Sequence, residues 1–234
     1  MGQLEKVGLR RESLGFAIGS ILFAVGALPG YATRVGSEAD NLTYFVGSLF
    51  FTVAAFIQLR QSGRLVPTSS TSRVDRYDWW SAFVQFVGTL LFNVSTGAAL
   101  VHSLTVPEHR EFVWQPDVFG SLCFLVASAL AVVATTDVDG LWDPHARNWG
   151  STWLGAIGSV AFGVSAAGAL LVPGTHRPES ATAANLGTLI GALCFLAAAL
   201  LMRPSSPGWR RAPGTDGAQD RDSARSAAAR SISR

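Results

Sequence analysis

Six stretches without any charged side chain constrain the fold of this chain more than any other feature. Each stretch is at least 19 residues long, and together they cover residues 13–33, 41–59, 79–107, 118–136, 148–176 and 180–202. About 20 mainly apolar residues are enough to cross the hydrocarbon core of a bilayer as a helix. A soluble bundle would carry charged residues on its outward faces within such windows. The sequence therefore predicts an all-α, polytopic transmembrane bundle of six helices.

The charged residues lie between these stretches and at the two ends of the chain. They make up only 15% of the 234 residues, whereas soluble domains average about 25%. This distribution predicts a cytoplasmic N-terminal tail at 1–12, a transmembrane domain at 13–202 and a disordered C-terminal tail at 203–234. The C-terminal tail has seven arginines against three aspartates, so it could contact anionic lipids loosely.

The arginines predict the orientation. Fifteen of the 18 lysines and arginines fall in the two tails and in the second and fourth loops, and the other three loops carry one each. Because positive residues are retained on the cytoplasmic side, both termini are predicted to be cytoplasmic. The chain has one lysine against 17 arginines and is rich in alanine and glycine, which indicates a GC-rich bacterium. The predicted location is therefore a bacterial plasma membrane.

A short pattern, Gly-small-x-x-Phe, occurs once in every predicted helix. In the odd helices it recurs after 69 and 70 residues, and in the even helices after 73 and 71. Such a period indicates internal duplication, here into three parallel two-helix repeats at 13–60, 79–136 and 148–202. The pattern residues are Gly19 and Phe23, Gly47 and Phe51, Gly88 and Phe92, Gly120 and Phe124, Gly158 and Phe162, and Gly191 and Phe195.

The pattern is typical of helix packing. Residues at i and i+4 lie on one helical face, and small residues allow membrane helices to approach closely. We therefore expect the glycines to mark helix contacts and the phenylalanines to cover the adjacent turn.

The hairpins, especially FAIGSILFAVGAL followed by NLTYFVGSLFFTVAAFIQ, resemble the two-helix YrhK-like membrane domain of bacteria. The similarity covers about 50 residues per repeat. It implies a small bacterial membrane protein without an assigned activity, and it supplies no functional residues.

One polar stripe is predicted on the third helix. Its members are spaced by four, four, four and three residues, which predicts a common face: Ser81, Gln85, Thr89, Asn93 and Thr96. Polar side chains facing lipid are costly, so the stripe should face protein or water. Interhelical hydrogen bonding is the favoured interpretation, and the alternative is the lining of a path for a small uncharged solute.

Other candidate groups give no chemical site. Cys123 and Cys194 occupy equivalent repeat positions and have no nearby cation in sequence to activate a thiolate. The carboxylates of the loop 137–147 lack the spacing of a calcium-binding loop. The four histidines, which lie at or beyond helix ends, form no metal-binding pair: His102, His109, His145 and His176.

The predicted function is accordingly that of a non-enzymatic membrane protein of structural or regulatory type. The six stretches contain no ionisable Asp, Glu, Lys or Arg, a group on which many proton-coupled transporters rely. Neither a nucleophile with a base nor a nucleotide-binding glycine motif is visible. No metal or cofactor is expected, and the expected partner is the lipid bilayer rather than a nucleic acid. A channel or facilitator remains the alternative.

Overall fold

Eight helices and one π-helical turn build the part of the chain that the computed structural model describes, which is residues 3–63, 66–68, 71–101, 103–136, 148–173, 175 and 177–202. These residues contain no strand, and one isolated bridge pairs Leu171 with Pro178. The all-α prediction is confirmed for this part. The helices are α1 (Gln3–Gly26), α2 (Tyr31–Val35), α3 (Ser37–Ser62), α4 (Arg73–Ala98), α5 (Val106–His109), α6 (Gln115–Thr136), α7 (Trp149–Gly168) and α8 (Ala181–Leu201), with the π turn at Arg110–Trp114.

Local side chains fix several helix starts. The Ser72 hydroxyl accepts a hydrogen bond from the Asp75 amide before α4, and Ser180 does the same for Ala183 before α8. Such caps satisfy amides that have no partner inside the helix. Between α2 and α3, Gly36 has a φ of 87°, a conformation that a residue with a Cβ adopts only with strain.

The six long helices form a closed ring. Three antiparallel hairpins pair α1 with α3, α4 with α6, and α7 with α8. Contacts between α3 and α4, between α6 and α7, and between α1 and α8 join the hairpins to one another. Because the last helix packs against the first, every long helix has two neighbours.

Large apolar side chains lie on the outside of this ring. Ile21, Leu90 and Val160 occupy equivalent turns of α1, α4 and α7 and are 47%, 42% and 56% exposed. The buried side chains include small polar ones, Ser20, Thr89 and Ser159, as well as several phenylalanines. An exterior with so many large apolar side chains is unusual for a protein dissolved in water.

Within the described part of the chain, three segments are long and apolar enough to cross a membrane: Ser37–Ser62, Val106–Thr136 and Ala181–Leu201. The first two contain the second and fourth predicted stretches, and Ala181–Leu201 lies within the sixth. The helices α1, α4 and α7 are not apolar enough to be included, because they contain more polar residues. Two glutamates, a lysine and two arginines lie in the first turns of α1. Gln85 and Asn93 lie inside α4, and α7 is rich in glycine and serine.

The helix bounds differ from the predicted stretches in places. The helix α1 begins at Gln3, so residues 3–12 belong to this helix, although they were predicted as a separate tail. The helices α4 and α7 end at Ala98 and Gly168, before the corresponding stretches do. The loop 137–147 and the C-terminal tail 203–234 lie outside the described residues.

Candidate functional site

Six phenylalanines, one from each long helix, occupy the middle of the ring. They are the phenylalanines of the repeated pattern, and none is more than 8% exposed: Phe23, Phe51, Phe92, Phe124, Phe162 and Phe195. The two rings of each hairpin are in contact, with centroid distances of 5.3 Å in the first hairpin, 5.0 Å in the second and 5.6 Å in the third. Most of the pairs are edge-on or tilted, the arrangement that aromatic quadrupoles favour.

The phenylalanine rings of α1, α4 and α7, the first helices of the three hairpins, also contact one another. Their centroids form a nearly equilateral triangle, with Phe23–Phe92 at 6.4 Å, Phe23–Phe162 at 6.0 Å and Phe92–Phe162 at 6.1 Å. Such mutual contacts require the three helices to surround a common axis. Aromatic side chains therefore fill the centre of the bundle at this level.

The pattern glycines lie where the two helices of each hairpin cross. A Cβ atom added at Gly19 would be 2.9 Å from the Gly47 carbonyl oxygen. At Gly120 it would be 3.1 Å from the Gly88 oxygen, and at Gly191 it would be 3.0 Å from the oxygen of its partner glycine in α7. Backbone atoms cannot yield as a flexible side chain can, so these close crossings depend on glycine.

All five residues of the predicted polar stripe lie on α4. The Ser81 hydroxyl donates a hydrogen bond to the Ala127 carbonyl oxygen of α6, at 2.8 Å. Thr89 is fully buried and donates to the Phe86 carbonyl of its own helix, at 2.7 Å. Gln85, between them in sequence, is half-buried.

The last two of the five stripe residues, Asn93 and Thr96, face α3. The Asn93 amide nitrogen donates to the Thr52 hydroxyl at 2.8 Å, and the Thr96 and Ser48 hydroxyls lie 3.0 Å apart. The Asn93 amide oxygen is buried without a hydrogen-bond partner among the described residues. The stripe thus reaches two different helix interfaces rather than one common surface.

The cysteines pack at the glycine crossings. The Cβ atom of Cys123 would be 2.9 Å from a Cβ added at Gly88, and that of Cys194 would be 3.1 Å from one added at Gly158. Both side chains are half-buried. Within the described residues, no three His, Cys, Asp or Glu side chains lie close enough together to hold a metal ion. His102, His145, His176 and the loop carboxylates fall outside those residues.

One buried acidic residue was missed by sequence reasoning. Glu12 in α1 is only 4% exposed, and the Gln61 side-chain amide of α3 donates a hydrogen bond to its Oε2 at 2.6 Å. Glu12 lies just before the first charge-free stretch. Burial raises the pKa of the Glu12 carboxyl to about 8, and the charge of Asp78 adds to the increase, whereas the hydrogen bond from Gln61 opposes it.

The repeat register contained a signal for this residue. Glu12 lies seven residues before Gly19, as Ser81 and Ser151 lie seven residues before the pattern glycines of α4 and α7. The Ser151 hydroxyl donates to the Ala198 carbonyl oxygen of α8 at 2.9 Å, which matches the bond from Ser81 to α6. The first hairpin thus has a carboxyl group where the other two have a serine.

Comparisons with known proteins add no assignment, because no protein-family model, curated protein or solved structure matches this chain.

Proposed function

We propose that the chain is an integral membrane protein of six membrane-spanning helices, made of three two-helix repeats, and that it serves a structural or regulatory role without catalysing a reaction. The observation that carries this proposal is the six-phenylalanine centre inside a closed helix ring. A closely packed aromatic core of this kind suits a structural role.

Exposed apolar residues support the membrane part of the proposal. All six long helices present large apolar side chains outward, including α1, α4 and α7, which are less apolar overall. In water these faces would be unfavourable over such an area. In a bilayer they contact lipid tails, and the glycine crossings and interhelical hydrogen bonds supply the attraction between helices.

Equivalent contacts support the repeat. Each of the three hairpins has a glycine crossing and a pair of phenylalanine rings in contact. The phenylalanines of α1, α4 and α7 also contact one another. Parallel repeats of this kind are related by an axis along the membrane normal. The resemblance to the YrhK-like domain agrees with a duplicated hairpin and suggests no activity.

The proposed location is a bacterial plasma membrane, with both termini in the cytoplasm. Its support is the distribution of lysine and arginine, which favours the side that carries the two termini. The bilayer is then the main partner, and the basic tail 203–234 would add loose contact with anionic lipids.

A facilitator for a small uncharged solute is the less supported alternative. Its predicted lining is divided between the α4–α6 and α3–α4 interfaces, and phenylalanines occupy the bundle axis. The Asn93 amide oxygen, buried without a hydrogen-bond partner among the described residues, agrees with a path along α4.

Solute flux into vesicles separates the two functions. The purified full-length chain, reconstituted into lipid vesicles, would be exposed to an osmotic step of glycerol or urea, and vesicle swelling would be followed by light scattering. We expect the same rate as in protein-free vesicles. A protein-dependent rate that Gln85→Leu and Asn93→Leu abolish, while the outward-facing control Leu90→Ala preserves it, would instead establish the facilitator.

A further inference from the structure

The side chain of Glu12 lies between two close contacts of α1 with α3. A Cβ atom added at Gly15 would be 3.0 Å from the Ala54 Cβ, and one added at Gly8 would be 3.2 Å from the Gln61 side-chain oxygen. Between these two levels Gln61 also donates its hydrogen bond to the carboxyl group of Glu12. The two helices are therefore too close at this end to leave a carboxylate well hydrated, and an ion without water or a countercharge is unfavourable.

Among the side chains that the structure describes, the charged groups around Glu12 do not offset that cost. On its own helix, Arg10 and Arg11 are exposed to solvent. On α3, Arg60 is exposed and its guanidinium lies 5.7 Å from the centre of the Phe56 ring. The helix α8, the other long neighbour of α1, carries no titratable acid, lysine or arginine from Ala181 to Leu201. The nearby charge of α4 is Asp78, which has the same sign as an ionised Glu12.

The equivalent residues indicate which form of Glu12 suits the site. In the second and third hairpins, Ser81 and Ser151 each donate an O–H to a carbonyl of the paired helix. A carboxyl group has an O–H to donate only when it is protonated. The neutral acid thus reproduces the donor that the other two hairpins have at this position, and the carboxylate does not.

We propose that Glu12 is a proton-binding site at the end of the first hairpin, where the protonated acid stabilises the contact between α1 and α3. The ligand is one proton, which converts the carboxylate to the neutral carboxylic acid. Ionisation places a charge in the contact beside Asp78 and loosens α1 from α3 at that end. The pKa of about 8 places this change close to neutral pH, where proton release would couple the first hairpin to the pH on its side of the membrane.

Infrared spectroscopy of the full-length protein in lipid vesicles tests this site directly. A protonated carboxyl group has a carbonyl band that an ionised one lacks. We expect a component of this band, present at pH 6, that disappears as the pH rises through about 8, and we expect Glu12→Gln to lack this component. In Asp78→Asn the midpoint should move to lower pH, because a like charge has been removed.

Two further variants keep the test independent of folding defects. Glu12→Ser places the residue of the other two hairpins at this position and should fold without this component of the band. Glu38→Gln changes an exposed glutamate at the start of α3 and should leave the transition in place. The proposal is overturned if Glu12→Gln and the unchanged protein show the same band and the same midpoint, or if the carboxyl group is already ionised at pH 6.

Discussion

Truncation of one central phenylalanine should destabilise the bundle far more than truncation of an outward phenylalanine on the same helix. Phe124 of α6 is 2% exposed, and its ring centroid lies 5.0 Å from that of Phe92 and 5.6 Å from that of Phe195. Phe119, also on α6, is 56% exposed. Phe124→Ala and Phe119→Ala therefore make the same chemical change in two environments.

The expected magnitude follows from what each ring contacts. Phenylalanine-to-alanine changes in soluble cores cost about 3–5 kcal/mol, of which about 1.5–3 kcal/mol is transfer out of water. In a bilayer the transfer part largely drops out, because lipid is as apolar as the core. The lost packing remains, so we expect Phe124→Ala to cost about 2 kcal/mol. Phe119→Ala should cost little, because in the proposed membrane bundle its exposed ring would contact lipid in both the packed and the separated helices.

Reversible unfolding in mixed micelles measures this difference. The purified protein would be titrated with a denaturing detergent, and tryptophan fluorescence would report the transition. A much lower midpoint for Phe124→Ala than for Phe119→Ala is the expected result. Equal midpoints for the two variants would refute the central packing role of the phenylalanines.

Three further changes test other contacts with the same unfolding assay. Gly19→Ala should lower stability because its Cβ would be 2.9 Å from the Gly47 oxygen. Gly155→Ala, which has open space around it, should be neutral or stabilising by up to about 1 kcal/mol. A larger loss of stability for Gly155→Ala than for Gly19→Ala would contradict the close helix crossing at Gly19. Ser81→Ala should cost about 0.6 kcal/mol, the average for an interhelical hydrogen bond in a membrane, and a cost of zero would show that this bond is unimportant. The pKa of Glu12 is raised from 4.5 to about 8, so the folded state holds its proton over that range and stability should fall as the pH rises through it. At about 1.4 kcal/mol per pKa unit the full loss is ~5 kcal/mol, and a Glu12→Gln variant that keeps the same pH dependence would refute the assignment.

The glycine and phenylalanine positions could be predicted because the same short packing pattern occurs in each of the six charge-free stretches. Each pattern residue recurs at a nearly constant period, and the structure brings the pattern glycines to the hairpin crossings and the pattern phenylalanines to the centre. The closure of the ring between α1 and α8 could not be predicted, since no local pattern specifies which helices meet around an axis.

The polar stripe shows how a sequence spacing can mislead. A spacing of four residues exceeds the 3.6 residues of one helical turn, so each step moves the side chain about 40° around the helix. Over the three steps from Ser81 to Asn93 the rotation reaches about 120°. The first residue consequently contacts α6 and the other contacts α3, although the spacing predicted one face.

Glu12 was missed because its neighbours in sequence are charged. Arg10 and Arg11 precede it, and this charged run predicts a cytoplasmic tail at 1–12. In the structure α1 extends through this run, and helical geometry turns the two arginines to solvent and Glu12 toward α3. The register of the repeat would have revealed the position, since Ser81 and Ser151 are its equivalents.

Lipid exposure of α1, α4 and α7 tests the six-span architecture most directly, because these helices are the less apolar ones. Single spin labels would be attached at Ile21, Leu90 and Val160, the equivalent outward positions, after both native cysteines are replaced by alanine. The full-length variants in vesicles would then be exposed to oxygen, which concentrates in lipid, and to a water-soluble nickel chelate. The six-span account predicts that all three labels collide with oxygen and are shielded from the chelate. Free access of the chelate to any of the three would contradict it.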